Sequence, residues 1–552
     1  MKNENHLKIL AIFLVLVLSF ILIEQPHLEN NFPMHSDSYD NIAVVQESIQ
    51  KNTIFTGDPF KPPLEKSFFH ANLTSADFQA GYTAILVFAT LFGLINPVNL
   101  PLYFPWLVSL LTFTATFFLL RKLCRQEFCA FIGALFIFFL PSSQLMLGPV
   151  FLVASSFALF LLPLLLWFGY TAITEKKYQK SFAGLIIASG LIYPPAVIVA
   201  LFSLLIFLVF SPKLLKENIF PILKTAGIFT ALFIGYVLFL LVKEGLNPVS
   251  LYSEHGFGFI FAVADFIFDQ LLFRPNFLPN IPFLDSYLGL PLFLLGFISI
   301  AFFAKKQYGK KEKFEKKEKF EKKENSPLLL IHLSAVLFSV MAFFGVFFGR
   351  GILIPTERMI MFAAYFLLLS AGIFVFELFS LISKKIPRKE ILVQKGFLAK
   401  KEVLAVILVL LIALLVVFSF PLKSETLQLN IQPNEFDGIN WLKANTNEND
   451  LILAVPYISK PIAVFTGRQV ACTTSTRFGC TPELNLLVSS FFFSSCPEKK
   501  LVLEKYFYAD YVFVQKELDL KTEKIIFPEQ NCDFLKQVFE GENIIIYKIE
   551  SN

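Results

Sequence analysis

Residues 35–41 read His35-Ser36-Asp37-Ser38-Tyr39-Asp40-Asn41, and this acidic motif lies a few residues beyond the first apolar run of the chain, Leu7–Ile23. It opens a polar segment over residues 24–78, in a chain whose first three-quarters otherwise consists almost entirely of apolar runs. Carboxylates at an apolar boundary are easily solvated, so their presence alone proves little. Their position is informative because we find no Asp, Glu, Lys or Arg in the middle of the apolar runs.

Composition assigns the chain to the membrane proteins. Of its 552 residues 55% are hydrophobic and only 16% are charged, whereas soluble domains carry about 25% charged residues. A helix needs about 20 apolar residues to cross a hydrocarbon core about 30 Å thick, and the chain contains many such runs. The fold class is therefore a polytopic α-helical membrane protein, located in the cell membrane as a multi-pass protein.

Basic residues predict the orientation, because short loops rich in Lys and Arg stay in the cytoplasm. An N-terminus inside, eleven spans and a C-terminus outside place every strongly basic loop on the cytoplasmic side, including the loop over residues 305–326. No small-residue cleavage site follows Ile23, so the first run is expected to be a retained helix rather than a cleaved signal peptide. The predicted spans are 7–23, 101–120, 127–141, 150–172, 181–194, 196–211, 220–242, 288–304, 327–348, 357–382 and 402–420.

This topology requires that the apolar stretch Gln79–Ile95 does not cross the membrane, since a crossing there would move most basic loops outside. The stretch contains Gly81 and Gly93 and is followed by Asn96-Pro97. It is predicted to be a helix of residues 79–95 that lies at the outer interface or dips in and returns. The predicted external loops are then residues 24–78 and 243–287.

The composition changes after Pro421, and two domains are predicted, a membrane domain over residues 1–424 and an extracytoplasmic α/β domain over residues 425–552. In the second domain a capped helix is predicted over Asn434–Ala444, and its apolar positions repeat at helical spacing. Strands are predicted at Leu451–Val455, Tyr511–Val514 and Asn543–Ile549, and further helices at 482–494, 497–507 and 531–540.

Four of the six cysteines, Cys472, Cys480, Cys496 and Cys532, lie in this second domain. An even number on the external side favours at least one disulfide, with three possible connectivities. Free buried thiols and a zinc site are the alternatives, but neither a C-x-x-C spacing nor a pair of histidines supports zinc.

The order of these features resembles the GT-C superfamily of membrane glycosyltransferases, especially prokaryotic and archaeal-type members related in plan to mannosyltransferases and oligosaccharyltransferases. The resemblance covers nearly the whole chain, and it depends on the order and topology of short motifs. These are Asp37-Ser38-Tyr39-Asp40, Ala43–Gln50, Gly57-Asp58-Pro59-Phe60, Pro62-Pro63-Leu64, Ile192-Tyr193-Pro194-Pro195, Pro355-Thr356-Glu357-Arg358, Phe436–Asn445 and Thr466-Gly467-Arg468.

The resemblance implies a hexosyltransferase that moves a sugar from a polyprenyl-phosphate-linked donor to a glycan, lipid or protein acceptor, with inversion. It implies that Asp37 is the base, and on a helical turn Asp40 would face the same side. Two adjacent carboxylates can raise one pKa toward the range of a general base, or share a divalent cation such as Mg²⁺ or Mn²⁺. The spacing is D-x-x-D, however, and a metal-binding D-x-D is absent. The alternative is that Asp37 and Asp40 only cap and solvate the helix Asn41–Gln50.

Substrate-binding residues are predicted in the external loops. Arg358, beside Glu357, matches the placement of a phosphate-contacting Arg in the superfamily, and Arg350 lies at the other end of the same short loop. Both arginines could equally be side chains that reach from a span to the membrane surface. His35, Glu254 and His255 complete the predicted substrate-binding set. The alternative for His255 is a hydrogen-bonded loop residue, which is the more common role of an isolated His among Gly and Phe residues.

Two other classes of function remain open from the sequence. A transporter usually carries ionisable residues near the middle of its spans and often has inverted repeats, and we find neither. A polysaccharide polymerase or glycan ligase would also act at the outer face, and a catalytically inactive scaffold is a further alternative. The sequence contains no P-loop or G-x-G-x-x-G signature for nucleotides, and no nucleic-acid partner is predicted.

Overall fold

The computed structural model describes the apolar helices and most of the C-terminal residues. The described residues are 12–24, 36–53, 80–93, 95–140, 148–217, 294–305, 327–348, 356–385, 433–473, 482–520, 523–526 and 532–550, with single residues 33, 60, 227, 231, 235, 354 and 431. The predicted spans 402–420 and, apart from three single residues, 220–242 lie outside this set. So does the predicted external loop over residues 243–287, and only Lys305 of the predicted basic loop is described.

The described chain is helical up to residue 450 and mixed thereafter. The helices are α1 (Ile12–Ile23), α2 (Ser36–Lys51), α3 (Ala80–Gly93), α4 (Leu100–Cys124), α5 (Glu127–Leu135), α6 (Ala154–Glu175), α7 (Gln179–Ile192), α8 (Pro194–Val209), α9 (Leu294–Lys305), α10 (Leu329–Phe348), α11 (Thr356–Lys385), α12 (Pro433–Asn445), α13 (Pro456–Thr466), α14 (Pro482–Phe493) and α15 (Cys496–Tyr506). The strands are β1 (Leu451–Leu453), β2 (Gln469–Val470), β3 (Tyr511–Gln515), β4 (Glu517–Leu520), β5 (Glu523–Ile526), β6 (Leu535–Glu540) and β7 (Ile544–Ile549).

These elements form two compact units. Unit 1 contains residues 1–29, 103–234 and 259–427, and unit 2 contains residues 30–102, 235–258 and 428–552. Unit 2 therefore joins the described part of the predicted first external loop to the C-terminal residues, a combination that the predicted division after residue 424 did not include.

Unit 1 is a bundle of apolar helices. Within the described residues, three helices are long and apolar enough to cross a membrane, and they coincide with the predicted spans 101–120, 150–172 and 357–382. Shorter apolar helices lie within most of the other predicted spans that the structure describes. Helices α5 and α11 approach closely at Gly372, where an added Cβ would lie 2.7 Å from the Cα atom of Gly133.

Two of the basic segments used to predict the orientation lie at the same end of unit 1. Lys122, near the end of α4, forms an ion pair with Glu175, the last residue of α6. The two helix ends are therefore neighbours in the bundle. The predicted topology requires both segments to be on one side of the membrane, and this contact agrees with that requirement.

Helix α3 covers the apolar stretch that was predicted not to cross the membrane. At 14 residues it is about 21 Å long, shorter than a hydrocarbon core about 30 Å thick. Tyr82 and Leu86 on one face are buried, whereas Phe88 and Phe92 on another are exposed. The helix itself is confirmed, and its place at the outer interface stays a prediction.

The C-terminal part of unit 2 contains a five-stranded sheet with the order β2-β1-β3-β7-β6. Strand β1 pairs in parallel with β2 and β3, while β7 pairs antiparallel with β3 and β6. The predicted strands at Leu451–Val455, Tyr511–Val514 and Asn543–Ile549 are confirmed, with β1 ending two residues early. The helices predicted over Asn434–Ala444, 482–494 and 497–507 are confirmed as well.

The helix predicted over residues 531–540 is wrong, because residues 535–540 form the edge strand β6. Its exposure does not alternate along the strand, and its register shifts between Gln537 and Phe539. A half-exposed edge strand with a bulge loses the period of two that identifies a strand in a sequence. Pairing with β7 determines its conformation.

The predicted disulfide is present. Cys496, at the start of α15, is bonded to Cys532, which precedes β6, and their Cα atoms are 5.5 Å apart. Cys472 is disulfide-bonded too. Of the alternatives considered for these cysteines, the disulfide is the correct one.

Candidate functional site

Helix α2 carries both predicted catalytic carboxylates. Asp37 lies in its first turn, where the exposed N–H groups and the helix dipole stabilise a negative charge. Asp40 follows one turn later on the same side of the helix, as the spacing predicted. The two environments differ, since Asp37 is partly exposed and Asp40 is completely buried.

Asp40 forms a buried ion pair with Lys460, a residue of α13. The Lys460 Nζ atom lies 2.9 Å from each carboxylate oxygen of Asp40, and the lysine is only 2% exposed. The two residues are 420 positions apart in the chain. Lys460 was not among the predicted site residues. The available signal was its position as the one charged residue of an otherwise uncharged helix, Pro456–Thr466.

Helix α13 begins and ends at well-defined residues. Pro456 stands in its first turn, where its missing N–H has no cost. Gly467 ends it with a φ of 71°, a conformation that favours glycine, and its N–H donates to the carbonyl of Ala463. Arg468 then donates to the carbonyls of Lys443 and Thr446, which connects the end of α13 to the end of α12.

Aromatic side chains of α2, α12 and α13 also contact one another. The ring of Tyr39 meets the ring of Phe465 edge-on, with centroids 6.1 Å apart, and Phe436 of α12 contacts Phe465 at 5.1 Å. The Tyr39 hydroxyl is buried and has no hydrogen-bond partner among the described residues. Burial, and to a smaller extent the nearby Glu435 carboxylate, raises the pKa of Tyr39.

A chain of polar side chains extends from this cluster into the sheet. Glu435 of α12 accepts a hydrogen bond from Gln515 of β3, whose side-chain oxygen accepts one from Tyr457 of α13. A second polar contact joins α2 to α13, because the Gln46 amide donates to the carbonyl of Val464 at 3.2 Å. Helix α2 is therefore held against α13 at two levels, one near its start and one near its end.

The predicted phosphate-binding arginine lies in unit 1. Arg358 occupies the first turn of α11 and is partly exposed, within hydrogen-bonding reach of Tyr193, which separates α7 from α8. Its Nη1 atom is buried and has no hydrogen-bond partner among the described residues. Tyr193 belongs to the Ile192-Tyr193-Pro194-Pro195 motif but was not assigned a role from the sequence.

The other predicted site residues lie at the start of α11 or outside the described part of the chain. Glu357 is in the first turn of α11. His35, Glu254, His255 and Arg350 lie outside the described residues.

The described residues do not fit a divalent cation site. No group of three or more His, Cys, Asp or Glu side chains among them is arranged to hold a metal ion. Asp40, one of the two carboxylates proposed to share an ion, faces the Lys460 ammonium instead.

No protein-family model matches the sequence, and no curated protein matches it. Solved structures do match. The apo oligosaccharyltransferase of Archaeoglobus fulgidus is 14% identical, with a TM-score of 0.55 over 92% of this chain and 69% of that chain. ArnT from Cupriavidus metallidurans, bound to undecaprenyl phosphate, is 11% identical, with a TM-score of 0.55 over 98% of each chain.

The fold is that of the GT-C glycosyltransferases. A further GT-C structure, the archaeal oligosaccharyltransferase AglB from Archaeoglobus fulgidus with an inhibitory peptide and a dolichol-phosphate, is 14% identical, with a TM-score of 0.54 over 93% of this chain and 70% of that chain. The resemblance predicted from the sequence is confirmed for the GT-C fold. The predicted fold class, a polytopic helical membrane protein, is confirmed with it.

Proposed function

We propose that this protein is a membrane glycosyltransferase that transfers a sugar, of the hexose class, from a polyprenyl-phosphate-linked donor to an acceptor at the outer face of the membrane. The observation that carries the proposal is the position of Asp37 on a GT-C fold. This carboxylate is partly exposed in the first turn of a helix that follows the first apolar helix. The acceptor is a glycan, a lipid or a protein, and the C-terminal residues are extracytoplasmic.

Asp37 acts as the base in a single displacement. The acceptor hydroxyl or amide gives its proton to the Asp37 carboxylate as its oxygen or nitrogen forms a bond to the anomeric carbon of the sugar. The bond between that carbon and the phosphate oxygen breaks, and the lipid phosphate leaves with the electron pair. Attack opposite the leaving group inverts the anomeric configuration. Removal of a general base of this kind lowers rates by about 10²- to 10⁴-fold.

Arg358 contacts the phosphate of the donor. A guanidinium can donate two parallel hydrogen bonds to a phosphate, and the buried Nη1 atom has a donor capacity that no described residue uses. Tyr193 lies within reach of the same side chain. Two solved GT-C structures contain a polyprenyl phosphate, one undecaprenyl and one dolichol, which supports this class of donor.

The remaining predicted residues keep their proposed roles on sequence grounds. His35 adjoins the Asp37 motif, and Glu254 and His255 lie in the second predicted external loop, so we assign these three to the acceptor side. Arg350 and Glu357 are assigned with Arg358 to the donor side.

The experiment uses purified protein in lipid nanodiscs with undecaprenyl- and dolichyl-phosphate hexoses carrying a radiolabelled sugar, and membranes of the expression host as the source of acceptors. Transfer of label and release of polyprenyl phosphate are both measured. Asp37→Asn is expected to lower transfer at least about 100-fold while the donor still binds. Asp437→Asn, which changes an exposed aspartate of α12, is the matched control and should retain wild-type activity.

Arg358→Gln tests the donor site separately. It is expected to raise the KM for the donor and to weaken binding of polyprenyl phosphate, measured by native mass spectrometry. Wild-type transfer by the Asp37→Asn variant would refute the assignment of the base. Failure of the wild-type protein to release polyprenyl phosphate from any donor would refute the glycosyltransferase function itself.

A further inference from the structure

The buried pair Asp40–Lys460 connects the helix that carries Asp37 to the C-terminal part of the chain. We infer that the pair positions this helix, so that Lys460 and Asp40 are positioning residues for the reaction and Asp40 does not take part in the chemistry itself. The inference rests on the proposed function for the role of Asp37, but the contact that it describes can be measured without any activity.

The geometry of the pair supports a positioning role. The Lys460 ammonium lies 2.9 Å from both oxygens of Asp40, and neither side chain has appreciable exposure to solvent. An acceptor substrate would have to displace the lysine to reach this carboxylate. Asp37, one turn earlier, is partly exposed and can receive a proton from a bound molecule.

An ion pair determines the register of two packed helices more strictly than apolar contacts do. The rings of Tyr39, Phe465 and Phe436 could slide past one another at little cost, because apolar contact is non-directional. A shift or rotation of α2 that separated Asp40 from Lys460 would instead break a buried ion pair. The pair therefore permits one arrangement of α2 on α13.

A second contact fixes the direction of the helix. Gln46 lies six residues after Asp40, about 9 Å along the axis, and its amide donates to the carbonyl of Val464. Contacts at two levels prevent α2 from pivoting about the ion pair. Arg468 connects α13 to α12, so the surface that receives α2 is itself braced.

Loss of the ion pair should affect catalysis because Asp37 is close to Asp40 on the same helix. Asp37 lies one helical turn from Asp40, so any rotation or shift of α2 moves its carboxylate by a comparable amount. A displacement of 1 Å in a reacting group can cost about 100-fold in rate. Loss of the pair should therefore lower kcat by about 10- to 100-fold and leave the KM for the donor unchanged, since the proposed donor contact is Arg358 in unit 1.

The test compares Asp40→Asn, Lys460→Met and the double variant Asp40→Asn/Lys460→Met in the full-length protein, with sugar transfer normalised to the monodisperse fraction on gel filtration. Each single variant removes one charge of the pair and keeps the other, whereas the double variant removes both. The expected result is a fall in kcat for both single variants and recovery to within about threefold of wild type for the double variant. Asp37→Asn, in contrast, should not be rescued by any change at residue 460.

Hydrogen–deuterium exchange provides the second readout. Exchange over residues 36–51 should increase in both single variants and return to the wild-type level in the double variant, while the exposed change Lys443→Met leaves it unaltered. Should the single variants fail to fold, Asp40→Glu and Lys460→Arg retain the charges with altered length and are expected to give intermediate effects.

Two outcomes would overturn the inference. A double variant that has wild-type exchange but is as inactive as Asp40→Asn would show that the Asp40 carboxylate takes part in the reaction. Unchanged exchange in both single variants would show that the pair does not hold α2. The wild-type protein could also lack transfer activity while exchange over residues 36–51 rises in the single variants and returns to the wild-type level in the double variant. That result would support the contact between α2 and α13 and refute only the glycosyltransferase function.

Discussion

Replacing Lys460 by Met leaves the carboxylate of Asp40 buried opposite a methyl group. Breaking a buried ion pair by removal of one partner costs about 3–5 kcal/mol. The carboxylate can reduce this cost by binding a proton. Each pH unit above the ordinary carboxyl pKa of about 3.9 adds about 1.4 kcal/mol to the free energy of protonation. The free-energy penalty for docking α2 in Lys460→Met is therefore limited to about 4 kcal/mol at pH 7 and about 1.5 kcal/mol at pH 5.

The sign of the pH dependence follows from the direction of the pKa change in this variant. Without its cation, buried Asp40 has a higher pKa in the docked state than in the undocked state. Docking is then most favourable at low pH and weakens as the pH rises. Asp40→Asn lacks the carboxylate, so acidification offers it no compensating protonation, and its penalty should stay constant between pH 5 and pH 7.

Hydrogen exchange of the α2 amides measures both penalties, once the rates are corrected for the intrinsic pH dependence of exchange. Wild type, Lys460→Met, Asp40→Asn and the exposed control Lys443→Met would be compared at pH 5, 6 and 7. A penalty for Lys460→Met that is equal at pH 5 and pH 7 would refute the reasoning. So would a penalty below about 1 kcal/mol at pH 7, because it would mean that the pair contributes little to docking.

Three further predictions concern the stability of unit 2. Burial raises the pKa of Tyr39. The contribution of the neutral Tyr39 side chain to stability is therefore complete below pH 10 and is lost as the pH rises further. Because phenylalanine does not ionise, Tyr39→Phe should resist the alkaline loss of exchange protection in α2. At pH 7 the same change should alter stability by less than about 1 kcal/mol, since it removes a hydroxyl with no hydrogen-bond partner among the described residues. Gly438→Ala should destabilise the C-terminal sheet by about 1–2 kcal/mol in thermal unfolding, because the added Cβ would lie 2.0 Å from Ile544 Cδ1. This cost of overpacking exceeds the gain in helix propensity. Adding Ile544→Val removes the Cδ1 atom and should restore the stability. Cys496→Ser opens a disulfide that spans 36 residues and should cost about 4 kcal/mol; thermal unfolding of this variant at the wild-type temperature would show that the bond to Cys532 contributes nothing.

Much of the fold was predictable because its signals are local. Apolar runs of sufficient length predicted the helices of unit 1, and Pro194 at the start of α8 marked the break between two adjacent helices. In the C-terminal residues, the apolar run Tyr511–Val514 predicted a strand, and β3, which is buried along its whole length, contains it. Each of these signals lies within one element, so no knowledge of its neighbours was needed.

The local sequence did not predict the structure correctly where contacts with another element of the fold determine it. Residues 535–540 were predicted to be helical, but pairing with β7 makes them an edge strand. The disulfide shows the same limit. Four cysteines on one side predicted at least one bond, yet three connectivities were possible, and only the fold brings Cys496 beside Cys532.

The acidic motif shows most clearly what each level determines. From the sequence alone, the spacing of Asp37 and Asp40 placed both carboxylates on one side of a helix, because residues three apart share a helical face. The resemblance to the superfamily favoured Asp37 as the base, but the spacing by itself did not distinguish between them. The tertiary structure does, since it brings Lys460 from 420 residues away to Asp40 and leaves Asp37 partly exposed. An ion pair between distant residues depends on how two helices pack, and no local spacing encodes it.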